Sequence, residues 1–257
     1  MKAKPRYLRT SDLAQAAGVH PNTVRLYEEW GFLPPIPRAP NGYRLFTEAH
    51  RDQMRLAKTA MRCTWQGGHI RQITIGLVRQ AASGDLDGAL ETAYRLQTLI
   101  KAEQDQAEAA AAALEHWAQT GSADLPVKPL WIGAAARQLG VTIDMLRSWE
   151  RNGLLIVPRG QEGYRAYGSA EISRLRVIRT LRRANYSTMS ILRMLNVLDS
   201  GSRDNLREVL DTPSPEEDAL YVTDRWLSAL QAMCQSAADM ITLLQTMSAN
   251  CSPGGAG

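Results

Sequence analysis

The chain has 257 residues, 44% of them apolar, which is enough to bury ordinary globular cores. It contains no run of 18 apolar residues, so a membrane span is not expected. Its start, MKAKPRYLRT, lacks an apolar core for secretion, and three scattered cysteines exclude a disulfide framework, so a reducing cytoplasm is expected.

The net charge of +4 conceals a segregation along the chain. Residues 1–76 carry 12 Lys/Arg against 5 Asp/Glu, and residues 129–198 carry 11 against 4. Residues 77–128 carry 4 against 8, and residues 199–257 carry 3 against 9. Basic and acidic blocks alternate twice, as expected of two polyanion-binding modules, each followed by an acidic helical support.

In chain order, residues 8–17 read as a short helix capped by Thr10 or Ser11. Gly18-Val19 makes a turn, and a second helix opens at His20 with Pro21 in its first position and ends near Trp30, before Gly31. This is a helix-turn-helix outline. A Pro-rich loop from Pro34 to Arg44 follows, with Asn41-Gly42 as its turn, and a helix capped by Thr47 runs to about Cys63. Helix-turn-helix plus hairpin predicts a winged helix. A shorter helix is expected over 68–75.

A long helix over about 86–119 carries Ala89, Ala93, Leu96, Ile100, Ala107, Ala110, Leu114 and Trp117 at three-four spacing, a coiled-coil seam about 50 Å long. After a linker at 121–129 the first module returns. Residues 8–33 and 130–155 share eight identities in 26 positions, among them Gly18/Gly140, Arg25/Arg147, Glu28/Glu150 and Gly31/Gly153. Pro37-Arg38-x-x-x-Gly42-Tyr43-Arg44 then matches Pro158-Arg159-x-x-x-Gly163-Tyr164-Arg165. In this copy Thr142 caps the second helix, Ser169 is expected to cap the third, and a shorter helix is expected over 188–195. A looser stretch at 199–213 leads to a capping box at Ser214-Pro215-Glu216-Glu217. The last helix should reach about Met247, with Leu220, Thr223, Leu227, Leu230, Cys234, Ala237, Ile241 and Leu244 as its stripe, widened by Met233, Met240 and Met247. The tail CSPGGAG reads as disordered.

The repeat decides the architecture: two domains, mainly α. The expected units are a first winged-helix domain (1–76), a first coiled-coil helix (77–120), a linker (121–129), a second winged-helix domain (130–198), a second coiled-coil helix (199–250) and a tail (251–257). Neither long helix can bury its stripe alone, so the two are expected to pair antiparallel within the chain.

These residues resemble the MerR-type transcription regulators, whose signature is similar to T-x-R-Y-Y-E-x-x-G-L-L followed by a wing ending G-Y-R-x-Y. The first copy reads Thr23-Val24-Arg25-Leu26-Tyr27-Glu28, Gly31-Phe32-Leu33 and Gly42-Tyr43-Arg44-Leu45-Phe46. The second reads Met145-Leu146-Arg147-Ser148-Trp149-Glu150, Gly153-Leu154-Leu155 and Gly163-Tyr164-Arg165-Ala166-Tyr167. The resemblance covers both winged helices, about half the chain. It implies one domain per chain in the family, dimerisation through an antiparallel linker helix, and binding to overlong promoter spacers that are twisted for RNA polymerase. Here both halves lie in one chain, so a monomeric pseudo-dimer is expected in place of a homodimer.

The resemblance implies double-stranded promoter DNA as partner, met by Asn22, Thr23, Arg25, Tyr27, Arg38, Tyr43 and Arg44 in the first copy and Arg147, Trp149, Arg159, Tyr164 and Arg165 in the second. The recognition helices would enter the major groove. Arg25 and Arg147 would fork onto phosphate or guanine, or else pair along their helices, Arg25 with Glu28 and Glu29. Tyr43, Arg44, Tyr164 and Arg165 would touch phosphates from the wings, unless either tyrosine packs in its core. Arg38 and Arg159 would reach backbone before base. Asp144 in place of Asn22 predicts that the two halves read different half-sites.

No cofactor and no metal site is expected: Cys63, Cys234 and Cys251 form no ligand spacing with the four histidines. Trp65, Trp117 and Trp226, with the Met stripe, are either core or the lining of a small-molecule effector pocket. No catalytic constellation can be assembled, so an enzyme is not expected. The competing reading is an architectural or recombination accessory protein, since such winged helices are also similar to those of excisionases, which bend DNA without engaging polymerase.

Overall fold

The structure, a computed structural model, describes residues 7–63, 68–120, 128–160, 162–213 and 222–251. Helices dominate, and among the described residues β-structure is confined to isolated bridges. None of the described helices is long and apolar enough to cross a membrane.

The first module is built by short-range rules. Helix α1 (Thr10–Ala17) buries Leu13, Ala14 and Ala17 and ends where Gly18 turns left-handed at φ 60°, ψ 48°. There Gly18 N–H donates to Gln15 O and Val19 N–H to Ala14 O, at 3.0 and 2.9 Å. Glycine takes this conformation at the least steric cost, so the tight turn is written into one residue. Helix α2 (Pro21–Glu29) follows, its Asn22 N–H donating to His20 Nδ1. Phe32 and Leu33 return into the core, and the wing then forms a bridge between Arg38 and Arg44. Phe46 pairs with Leu8 and is fully buried. Helix α3 (Glu48–Met61) is capped by Thr47, whose N–H donates to buried His50 Nδ1 at 3.1 Å. Burial holds the His50 pKa below its ordinary value.

Helix α4 (Gly68–Ala82) is longer than the expected 68–75, since Leu77, Val78, Ala81 and Ala82 continue its buried face. Helix α5 (Leu86–Thr120) has 35 residues. The second module repeats the plan with α6 (Ile132–Leu139), left-handed Gly140, α7 (Ile143–Arg151), α8 (Ser169–Arg183) and α9 (Thr188–Asp199). The cap of α8 is Gly168, not Ser169: its N–H donates to Glu171 Oε2 at 2.9 Å. The looser stretch contains a further helix, α10 (Leu206–Asp211), held by buried Leu206 and Leu210. The expected capping box at 214–217 lies outside the described residues. Helix α11 (Trp226–Cys251) follows a 3-10 turn, Val222–Arg225, and Asp211 caps it by accepting from the N–H groups of Leu227 and Ser228.

The chain divides into two compact units, Met1–Ala102 with Gln231–Gly257, and Glu103–Leu230. Each long helix therefore contributes to both. In the first unit Ala89, Ala93, Leu96 and Ile100 of α5 are fully buried, Cys63 Sγ donates to Met233 O, and Gln245 Nε2 donates to Tyr94 Oη at 3.0 Å. In the second, Tyr186 Oη donates to Ala107 O, Trp117 Nε1 to Ser173 Oγ, and Gln106 Nε2 to Arg183 O. The buried seam of α11 is Leu230, Met233, Ala237, Met240, Leu244 and Met247, with Ile241 beside it. Leu227 and Cys234 are only half-buried, so the methionines are the centre of the stripe and not its margin. A flexible thioether fills irregular gaps that a branched side chain would leave open.

Candidate nucleic-acid interface

Both modules present an arginine on the second helix and a tyrosine and two arginines on the wing. Arg25 is exposed and makes no ion pair among the described residues. Asn22 is exposed on the first turn of α2, and Thr23 beside it is half-buried. Arg147 is exposed on α7 and lies 3.6 Å from Asp144 Oδ1, so in this copy the intrahelical pair exists. It runs toward the helix start, not its end.

On the wings, Tyr43 and Tyr164 are 72% and 58% exposed. They are therefore surface rings and not core aromatics. Arg38 Nη1 donates to Gly42 O at 3.3 Å, and Arg159 Nη1 to Gly163 O at 3.0 Å, which stiffens each wing turn.

The wing is fastened to the recognition helix by a pairing that recurs in both copies. Arg44 Nε donates to Glu28 Oε2 at 2.7 Å, and Arg165 Nε to Glu150 Oε2 at 2.6 Å. The hydrogen bond that Arg165 donates to Glu150, with the charge of that carboxylate, raises the Arg165 pKa above its ordinary value. Arg38 Nη2 also lies 3.8 Å from Glu28 Oε1. A half-exposed pair of this kind adds about 1 kcal/mol or less to stability. Its larger effect is geometric, since a planar guanidinium gripped at Nε has its terminal nitrogens fixed in direction. Glu28 was expected as a partner of Arg25 and meets the wing arginines instead, and Glu28/Glu150 is one of the repeat identities.

Two of the expected contact residues lie inside the fold. Tyr27 and Trp149 are only 6% and 5% exposed. They sit three residues after buried Val24 and Leu146, so helical periodicity turns them inward. Tyr27 packs on Trp30 and Phe32 at ring separations of 5.9 and 5.5 Å, and burial raises its pKa. Both rings position the recognition helix from behind.

A third element lies beneath each site. Gln53 Nε2 donates to Phe32 O and Val78 O at 3.0 and 2.9 Å, tying the turn after α2 to α3 and α4. Arg174 takes the equivalent place, its Nε donating to Leu154 O at 2.8 Å and its terminal nitrogens to both oxygens of Asp199. Lys58 Nζ likewise donates to Ala17 O and Gly18 O, bracing the helix-turn-helix turn. The repeat offset was the signal that marks Gln53 and Arg174 as one position.

Among the described residues, the two expected pocket tryptophans each have a bonded indole N–H. Trp117 is half-buried and bonded to Ser173, Trp226 is 3% exposed with its Nε1–H on Ala184 O at 2.7 Å, and Trp65 lies outside the described residues. Satisfied indole donors of this kind are those of packed residues.

Residues 9–46 match the family described as MerR family regulatory protein, and residues 130–198 match MerR HTH family regulatory protein. The mercuric resistance operon regulatory protein of Pseudomonas fluorescens is 34% identical over 71 residues, 27% of this chain and 49% of that protein. The HTH-type transcriptional regulator CueR of Escherichia coli is 36% identical over 53 residues, 21% and 39% respectively. A probable heavy metal-dependent transcriptional regulator of Haemophilus influenzae is 34% identical over 79 residues, 30% and 61%. The chain thus spans about half the length of the curated relatives it matches. No solved structure gives a significant match.

Two of these relatives are named for metals. Among the described residues no group of three or more His, Cys, Asp or Glu side chains could hold an ion. Cys63 is fully buried, and burial pushes its thiol from 9.0 up to about 11. The folded chain then holds this proton more tightly than the unfolded one, so stability is intact below pH 9 and falls as pH climbs towards 11. Alkylation at pH 8 should label exposed Cys251 quickly and Cys63 only as its unit opens. Rapid labelling of Cys63 in the native chain would contradict that assignment.

Proposed function

The chain carries two MerR-family domains, and from that premise we propose that it is a sequence-specific DNA-binding transcription regulator. One chain acts as a pseudo-dimer that binds and distorts promoter DNA for RNA polymerase, in the cytoplasm and without catalysis of its own. The observation that carries this reading is the repeated surface: an exposed recognition-helix arginine, an exposed wing tyrosine and a wing arginine aimed by a helix glutamate, twice in one polypeptide. Arg25, Arg38, Tyr43 and Arg44, with Arg147, Arg159, Tyr164 and Arg165, form the DNA-contacting set, and Asn22 and Thr23 read bases in the first half.

The pseudo-dimer draws its support from the division of the long helices. The first part of α5 shares a unit with residues 231–251 of α11, and the rest of α5 shares the other unit with the start of α11. Antiparallel pairing of two coiled-coil helices gives that division. Each module is then completed by the helix that trails the other, so neither half is a free-standing domain.

Light scattering during size exclusion, followed by footprinting on selected DNA and transcription of the bound promoter, tests the proposal. The expected result is a monomer protecting two unequal half-sites about one helical turn apart, with a change in transcription. A homodimer on a true palindrome would overturn the pseudo-dimer. Bending of DNA with no effect on transcription would favour the architectural alternative.

A further inference from the structure

The two recognition helices expose opposite chemistries on their first turns. Position by position, Pro21, Asn22 and Thr23 of α2 correspond to Ile143, Asp144 and Met145 of α7. Ile143 and Met145 are 38% and 41% exposed, and the side chain of Asp144 between them is 91% exposed. Met145 thus stands open where the first helix has a hydroxyl, and Ile143 where it has a proline. A second substitution of the same kind lies at the wing. Exposed Arg9 of the first copy corresponds to Trp131, which is 60% exposed and lies against Tyr164 at a ring separation of 4.9 Å. In the second module, apolar surface stands in place of a hydroxyl at Met145 and of a guanidinium at Trp131.

That exchange has not removed the electrostatic basis for holding a polyanion. Residues 129–198 still carry 11 basic against 4 acidic side chains, and Arg159 and Arg165 keep their places on the wing. A surface that is basic overall but apolar at its reading tip suits a duplex major groove lined with methyl groups. Thymine is the base that offers one there, on C5. Asp144 adds an acceptor that suits the N4 amine of cytosine and opposes guanine O6 and N7. Arg147, 3.6 Å away, offsets its repulsion from the phosphates.

We propose that the second module reads its half-site through thymine methyl groups seated against Ile143 and Met145, with Asp144 accepting from cytosine, whereas the first module reads by hydrogen bonds from Asn22, Thr23 and Arg25. This rests on the DNA-binding reading above and names the specificity of its second half. The asymmetry follows from side-chain chemistry on an otherwise repeated backbone. Discrimination in the second half comes from removing a methyl from water, a gain that falls steeply when the methyl is absent.

The experiment uses the full chain and a pool of random-sequence duplexes. The selected site is divided by Arg25→Ala, which relaxes sequence preference in the first half only. Thymines are then replaced by deoxyuridine, which lacks the C5 methyl, one half-site at a time. The expected loss in the second half-site is about fourfold in affinity for each contacted thymine, with less than a twofold change in the first. Ile143→Ala and Met145→Ala, both at exposed positions that leave the fold intact, should each lower that penalty, and together abolish it.

A second half-site indifferent to the methyl, in a chain that still selects a sequence, overturns the thymine assignment and leaves the DNA-binding reading standing. Protection of the first half-site alone, with affinity unchanged by Ile143→Ala, also overturns it and marks this apolar tip as a protein-docking surface. Failure of the pool to yield any retained duplex overturns the DNA-binding reading itself.

Discussion

Alanine at both Arg44 and Arg165 should weaken binding to every duplex by about 100-fold near physiological salt, whatever its sequence. Each guanidinium is held at Nε by the glutamate of its own recognition helix, with side-chain exposures of 28% and 31%. Each is therefore presented by the wing in a set direction. A lost charge-assisted phosphate contact costs about 1.5 kcal/mol, roughly tenfold, and two such losses multiply. The slope of log affinity against log salt should flatten by about two, since each phosphate neutralised contributes roughly 0.9. Lysine at both positions separates charge from aim: it should keep the slope but recover only part of the affinity, because an ammonium cannot be gripped at Nε while reaching outward. The variants remain folded, as half-exposed ion pairs contribute little stability. An alanine double variant with wild-type salt dependence would show that these arginines serve the wing alone.

The largest effect on stability is expected from Arg174→Ala, about 2.5 kcal/mol for the second unit. Arg174 is 20% exposed and holds three elements together: the turn after α7 through Leu154 O, its own helix α8, and α9 through both oxygens of Asp199. Its removal leaves a part-buried carbonyl without its donor, at about 1.5 kcal/mol, and deletes a half-exposed charged pair, at about 1 kcal/mol or less. A unit of this size should lose roughly 10 °C from its unfolding midpoint. Because the chain has two compact units, the loss should appear in one calorimetric transition while the other holds. Arg174→Gln should be milder, since Gln53 does the corresponding work in the first copy with two hydrogen bonds. A change below about 0.5 kcal/mol for alanine would mean that the bridge is incidental to folding.

Much of the candidate site was legible because it is written in short-range chemistry. Gly18 and Gly140 mark their turns by the one conformation that glycine takes freely, and both are left-handed here. Pro21 and Thr142 announce the starts of the recognition helices, and Asn41-Gly42 the wing turn. Tyr27 and Trp149 carry two opposed signals in the sequence. Their place in a family signature pointed to DNA, while their spacing from Val24 and Leu146 pointed to the core, and burial followed the spacing.

By itself the sequence determined that this protein is a repeat of two basic helix-turn-helix modules with wings, joined by long amphipathic helices. Each of those features is a matter of residues within a few positions of one another, or of one copy laid on the next. Tertiary structure alone decided which glutamate each wing arginine meets, that Gln53 and Arg174 sit under equivalent turns, and that Met233, Met240 and Met247 form the centre of the last helix's buried seam. It also decided that each compact unit takes part of both long helices. A periodic apolar stripe records that a face must be covered, but burial is non-directional and does not name its partner; only packing of the whole chain does.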